Sequence, residues 1–166
     1  GIQADLKTFA ALSVYGTSVL TAITAQNTLG VTDVLELPTS LIETQIDAVV
    51  SDIGADAVKT GMLSSSSIIV TVAEKIKEYG LIRLVVDPVM IAKGGDRLLR
   101  EEAVGALRRH LLPLAQVVTP NAPEAQVLTN RVVENLDGAR AAARELVAMG
   151  ARAAVVKGGH LEGPPT

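Results

Sequence analysis

A chain of 166 residues is the length of about one domain. Fifteen Lys and Arg against eighteen Asp and Glu leave a net charge of −3, without the basic face that nucleic acid requires, and two Tyr, one Phe and no Trp give no stacking platform for single strands. Apolar residues at 48% exclude a disordered chain, and zero Cys excludes disulfides, thiolate zinc sites and cysteine nucleophiles within these residues.

Taken in chain order, short β-branched runs alternate with longer helical periods. Leu6, Phe9, Ala10 and Leu12 share one helical face, and a strand is predicted over residues 19–24. Pro38 and Thr39 then introduce a helix marked by Ile42, Ile46, Val49 and Val50. A strand at 57–60 comes next, and the serines at 64–67 can cap a helix carrying Ile68, Ile69, Val72 and Ile76 that ends at Gly80. Beyond it lie a strand at 84–87, a helix on Val104, Leu107 and Leu111, and a strand at 117–119. Leu136, Ala139, Ala143, Leu146 and Val147 mark a last helix, stopped by Gly150 before a strand at 153–156. The strands are continuous rather than alternating in polarity, as in a parallel sheet covered on both faces. This pattern predicts βαβ units in one α/β domain over residues 1–166, with all strands running the same way. No apolar run reaches the roughly 20 residues of a membrane helix, and residues 1–7 lack a signal-peptide pattern. The default reading is a protein of a reducing compartment, with no membrane partner.

The residues just past each strand are the informative ones. Gln26-Asn27 comes after the first, Gly61-Met62 after the second and Asp87-Pro88-Val89-Met90 after the third. Pro120-Asn121-Ala122-Pro123-Glu124 comes after the fourth and Lys157-Gly158-Gly159-His160 after the fifth. The carboxyl ends of parallel strands share one edge, where ligands bind. Carboxylate and amide oxygens gathered there beside a lysine suit Mg-nucleotide chemistry, in which oxygens hold the metal and lysine neutralises phosphate.

Each piece also has a local explanation. Asp87-Pro88 can simply end a strand, because a residue before proline is pushed to extended geometry. Asn121 and Glu124 stand at capping-box spacing, Lys157-Gly158-Gly159 can be a solvated turn, and Asp5 suits the first turn of a helix. His160 reads as a polar loop residue, and His110, beside Arg108 and Arg109, as a structural one. There is no GxxxxGK[ST], no GxGxxG opening a helix and no GxSxG.

The runs Ile2-Gln3-Ala4-Asp5-Leu6-Lys7, Ala25-Gln26-Asn27-Thr28 and Lys59-Thr60-Gly61-Met62-Leu63 are together similar to hydroxymethylpyrimidine/phosphomethylpyrimidine kinases. Val86-Asp87-Pro88-Val89-Met90, Thr119-Pro120-Asn121-Ala122-Pro123-Glu124 and Lys157-Gly158-Gly159-His160-Leu161 continue the likeness over nearly the whole chain. That family belongs to thiamine biosynthesis and to the ribokinase-like superfamily. The resemblance implies a three-layer α/β/α fold, mainly parallel, and a homodimer in the cytoplasm. It implies ATP-dependent phosphorylation of 4-amino-5-hydroxymethyl-2-methylpyrimidine, then of its monophosphate, with Mg²⁺. Gln26 and Asp5 would contact the pyrimidine, and Met62 and Val89 would wall it. Asn121 and Lys157 would meet the ATP phosphates, with Glu124 and Asp87 near the metal.

Two departures stand beside the likeness. Of the family's Gly-rich opening segment this chain has Gly1, and the Gly-Thr-Gly-Cys turn that carries the catalytic-base position is not among its residues. No catalytic residue is therefore assigned within the chain, and this stretch alone is not expected to turn over. Gly94 stands where many relatives have Ser after Lys93. A pyridoxine-type vitamer kinase and a non-catalytic binding module remain as alternatives.

Overall fold

A computed structural model describes residues 1–90 and 101–158. Lys93, Gly94 and His160 lie outside the described residues. The chain opens with α1 (Ile2–Ala11), then β1 (Ala22–Gln26), β2 (Val31–Glu36), α2 (Thr39–Asp52), β3 (Val58–Thr60), α3 (Ser66–Glu78) and β4 (Leu84–Val86). It continues with α4 (Glu101–Ala106), a π turn (Leu107–Leu111), a 3-10 turn (Leu112–Leu114), β5 (Val117–Val118), α5 (Ala122–Thr129) and α6 (Leu136–Ala148). None of these helices is long and apolar enough to cross a membrane.

The α/β architecture rests on β3, β4 and β5, which lie side by side in parallel register, Lys59 against Val85 and Val86 against Val118. Right-handed crossovers require a helix between such strands, and α3 and α4 supply it. In the middle strand Leu84 and Val86 are fully buried, and so is Val118 beside them. Ile68, Ile69, Val72 and Ile76 of α3 are buried as their spacing predicts, together with Ile42 and Ile46 of α2 and Leu146 of α6. At roughly 25 cal/mol per Å² of apolar surface, each buried Ile or Leu contributes about 2 kcal/mol. A polar clamp joins α2 to α3: Tyr79 Oη donates to Asp47 Oδ1 at 2.7 Å, and Lys75 Nζ reaches the same oxygen at 2.7 Å. The Lys75 ammonium and the Tyr79 hydroxyl hold the Asp47 carboxyl below its usual range.

Several expectations change. The first strand does not join the parallel sheet. It starts at Ala22 and pairs antiparallel with β2, Ile23 opposite Leu35, in a separate two-stranded sheet. The cause is the reversal between them: the Asn27 side chain accepts from the Leu29 and Gly30 N–H groups at 2.8 and 3.1 Å, and Asn27 N–H donates to the Gly30 carbonyl. That turn commits the chain to a hairpin before any crossover helix can form. The run 153–156 is not a ladder strand but keeps the parallel direction through single bridges, Ala154 with Val118 and Lys157 with Asn121.

Helix details shift as well. The faces foreseen for the first and last helices are only partly covered: α1 buries no residue, and α6 buries Ala139, Ala142 and Leu146 while Leu136 and Val147 stay exposed. Ser65 occupies the N-cap of α3, yet its hydroxyl meets that of Ser67 at 3.2 Å instead of capping a backbone N–H. Gly80 and Gly150 do end α3 and α6, with φ of +61° and +115°, a region that residues with a Cβ rarely enter. Arg108 donates to the Val127 carbonyl at 2.6 Å and to Asn130 Oδ1 at 3.2 Å, a bond to the end of α5 that explains the basic run beside His110.

Candidate active site at the strand ends

Adjacent parallel strands end in step, and each end is tied to the next by backbone bonds. Asp87 N–H donates to the Thr60 carbonyl at 3.1 Å, Thr119 N–H to Val86 at 2.9 Å, and Lys157 N–H to Pro120 at 2.8 Å. Pro88 and Pro120, directly after Asp87 and Thr119, are fully buried and hold their segments extended where the strands stop. The side chains carried past this edge therefore converge.

They converge as a line of alternating charge. Lys157 Nζ lies 3.0 Å from Asp87 Oδ1 and 4.0 Å from Glu124 Oε2. Asp87 Oδ2 lies 3.5 Å from Lys59 Nζ, and Lys59 in turn meets both oxygens of Asp5 at 3.0 and 2.9 Å. Thr119 Oγ1 also donates to Asp87 Oδ1, at 3.4 Å. The line runs Asp5, Lys59, Asp87, Lys157, Glu124 and carries a net charge of −1 by its formal charges.

Asn121 and Glu124 are held by the capping box that their spacing predicts. The Asn121 side chain accepts from Glu124 N–H at 2.8 Å, and Glu124 Oε2 accepts from Asn121 N–H at 2.7 Å. The box does more than start α5. It fixes a carboxylate that is only 5% exposed next to a second carboxylate and a lysine. Burial pushes the Glu124 carboxyl above its usual range, against the pull of the Asn121 N–H and Lys157, while Asp87 adds to the rise. A buried carboxylate short of positive charge is one that a cation would stabilise.

That observation decides whether Mg²⁺ fits. The ion prefers oxygen ligands, keeps several of its waters, and is bound through one or two carboxylates plus substrate phosphates. Asp87 and Glu124 are such a pair. No group of three or more His, Cys, Asp or Glu with metal-binding geometry occurs among the described residues, so an all-protein cage is not what they offer.

Of the residues singled out in the sequence, Asp5, Asp87, Asn121, Glu124 and Lys157 belong to this one network. Met62 and Val89 are half-buried in the loops that leave β3 and β4, and the Met62 carbonyl accepts from Thr21 Oγ1 at 2.9 Å. Gln26 makes no such contact. It is exposed at the end of β1 beside a bulge, and no side-chain hydrogen bond or ion pair among the described residues joins it to the line of charges. Side chains from β3 onward thus meet at one edge, while no contact among the described residues ties Gln26 of β1 to them. Lys59 was not foreseen as a site residue. The available signal was a lysine one position before the end of a short strand, where a buried position would be apolar.

Comparison with known proteins agrees over the full length. The family model for phosphomethylpyrimidine kinase matches residues 1–166. A hydroxymethylpyrimidine/phosphomethylpyrimidine kinase from Bacillus subtilis is 54% identical over 96% of this chain and 59% of its own length. The crystal structure of a phosphomethylpyrimidine kinase from Clostridium difficile superposes with a TM-score of 0.91 at 49% identity, over 99% of this chain and 71% of that one. An ADP complex of Bacillus subtilis pyridoxal kinase gives 0.88 at 41% identity, over 98% and 62%. The chain spans about 60% of the length of the curated hydroxymethylpyrimidine/phosphomethylpyrimidine kinases it matches, and 33% of a thiamine biosynthesis bifunctional protein from Geobacter sulfurreducens. The fold is the three-layer, mainly parallel α/β/α arrangement of these kinases.

Proposed function

This chain belongs to the phosphomethylpyrimidine kinase family, and from that premise we propose that the whole protein phosphorylates 4-amino-5-hydroxymethyl-2-methylpyrimidine with ATP, and then its monophosphate to the diphosphate. The observation that carries the reading is the Lys157–Asp87–Glu124 cluster at the strand ends, one exposed cation between two carboxylates, one of them buried.

In such a transfer the hydroxymethyl oxygen forms a bond to the γ-phosphorus as the bridging bond to ADP breaks. The hydroxyl proton passes to a base that the family resemblance puts outside this chain. Phosphoryl transfer depends on positioning and on charge stabilisation, and this chain's residues supply both. Lys157 neutralises the transferring phosphoryl group, and Asn121 orients the phosphates. Asp87 and Glu124 would hold Mg²⁺, which would supply charge neutralisation at the phosphate oxygens. On the acceptor side, Asp5 meets the polar groups of the pyrimidine. The Gln26 carboxamide offers a donor and an acceptor to its aminopyrimidine edge. Met62 and Val89 give the ring an apolar wall.

ATP as co-substrate and a chain without cysteine support a cytoplasmic location, and a homodimer is the assembly the family resemblance implies. The test is a coupled ADP-release assay on the full-length protein. Turnover with the hydroxymethylpyrimidine is expected, and Lys157→Ala should lower kcat about a hundredfold, the usual loss when one preorganised charge is removed. Wild-type turnover no higher than that of the variant defeats the proposal. The likeness to pyridoxal kinase favours a second reading, a kinase for pyridoxal-type vitamers. Competition of the two acceptors at equal concentration separates them.

A further inference from the structure

Lys59 is the residue on which two otherwise separate parts of the site meet. It lies in β3, and its side chain is 28% exposed, so its ion pairs are less screened than those of a fully solvated lysine. On one side Nζ lies 3.0 and 2.9 Å from the two oxygens of Asp5. On the other it lies 3.5 Å from Asp87 Oδ2, while Lys157 takes Asp87 Oδ1 at 3.0 Å. Asp87 is thus held between two lysines, one on each oxygen, which sets the plane of its carboxylate.

The helix that carries Asp5 is half-buried at Leu6 and Phe9, which lie against Gly16. Among the described residues, the side chain that both oxygens of Asp5 meet is Lys59, and a charged, two-oxygen contact of this kind fixes direction.

We propose that Lys59 is a positioning residue of the site: anchored on Asp87, which Lys157 and Thr119 hold independently, it directs Asp5 toward the acceptor substrate. The substrate named in the test rests on the kinase reading above; the geometry of the clamp does not. Lys59 neither accepts the phosphoryl group nor moves a proton. Its effect on the acceptor is exerted through Asp5, and this distinguishes it from Lys157.

The experiment uses the full-length protein as wild type, Lys59→Met, Lys59→Arg and Asp5→Asn, alone and with Lys59→Met. Affinity for 4-amino-5-hydroxymethyl-2-methylpyrimidine is read by titration calorimetry and KM for ATP by ADP release. Lys59→Met should weaken pyrimidine binding by about tenfold while KM for ATP changes by less than about twofold. Lys59→Arg, which can still bridge two carboxylates, should restore most of the loss. Once Lys59 is Met, Asp5→Asn should add little, because a carboxylate already out of place has little left to lose. Equal weakening for pyrimidine and ATP, no change in either, or a full Asp5→Asn penalty in both backgrounds overturns the proposal. Should Lys59→Met not fold, Lys59→Gln carries the same comparison. A wild type that binds the pyrimidine without turning it over defeats the kinase reading and leaves the Lys59 test intact. One that binds no pyrimidine defeats both.

Discussion

The first 36 residues and the body beyond them are held in place by different forces. No residue from 1 to 36 is buried, and Leu12, Tyr15, Leu29 and Leu35 are more than half exposed. From Ile42 onward, a continuous apolar cluster runs through α2, α3, β4, the turns after α4, and α6. The first region meets that cluster at Val19, and polar ties secure it further. Lys59 pairs with Asp5, Thr21 donates to Met62, and the Gln45 carboxamide both accepts from Leu20 N–H at 3.0 Å and donates to its carbonyl at 2.9 Å. Burial is strong and non-directional, whereas such bonds each contribute about 1 kcal/mol and specify orientation. Of the residues proposed for the acceptor, Asp5 and Gln26 lie on the polar-tied region, while Met62 and Val89 lie on the packed one with those proposed for phosphate and metal.

Substitutions can break that contrast. The largest effect is expected in the packed body: Leu146→Ala, which empties a fully buried position, should cost about 2–5 kcal/mol of unfolding free energy in urea. Leu35→Ala, at a residue 62% exposed, should cost less than about 1 kcal/mol. Comparable losses at the two positions would erase the distinction.

A smaller effect sharpens the contrast at the helix ends. Asn121→Ala removes the cap of α5 and should cost about 1 kcal/mol by the same denaturation, a tie that α1 lacks altogether. The third prediction concerns sign. Glu124 has its carboxyl pushed up in the folded protein, so the native state holds that proton more tightly than the unfolded chain. The group therefore adds stability as pH falls from the raised value toward the ordinary one, and withdraws it as pH rises. Glu124→Gln keeps a side chain that capping boxes accept and removes the buried charge. Its melting temperature at neutral pH should equal or exceed that of the wild type, with the margin shrinking on acidification while turnover falls. A margin that grows on acidification would contradict the assignment.

The parallel core is legible because its signals are local and redundant. Ile68, Ile69, Val72 and Ile76 at three- and four-residue spacing in α3, valines in β4 and glycines after α3 and α6 all point to the same elements, and all are found there. The Asn121–Glu124 box can be read for the same reason, since its two bonds lie within one turn of helix. The hairpin is hidden because residues 19–24 look like any apolar strand. The decisive turn, with Asn27 and Gly30, reads as a site motif and not as a reversal. Lys59 escapes notice because its partners are 54 and 28 positions away along the chain, a separation that periodicity cannot express.

The single bond from Thr21 to the Met62 carbonyl has a consequence for how such a protein can diversify. It couples the base of the hairpin to the peptide of a residue proposed to wall the acceptor, so a change of pose in β1 and β2 is felt at that wall before it reaches any charged group. Exchange in the hairpin can thus reach the proposed acceptor wall while leaving the Lys157–Asp87 ion pair in place.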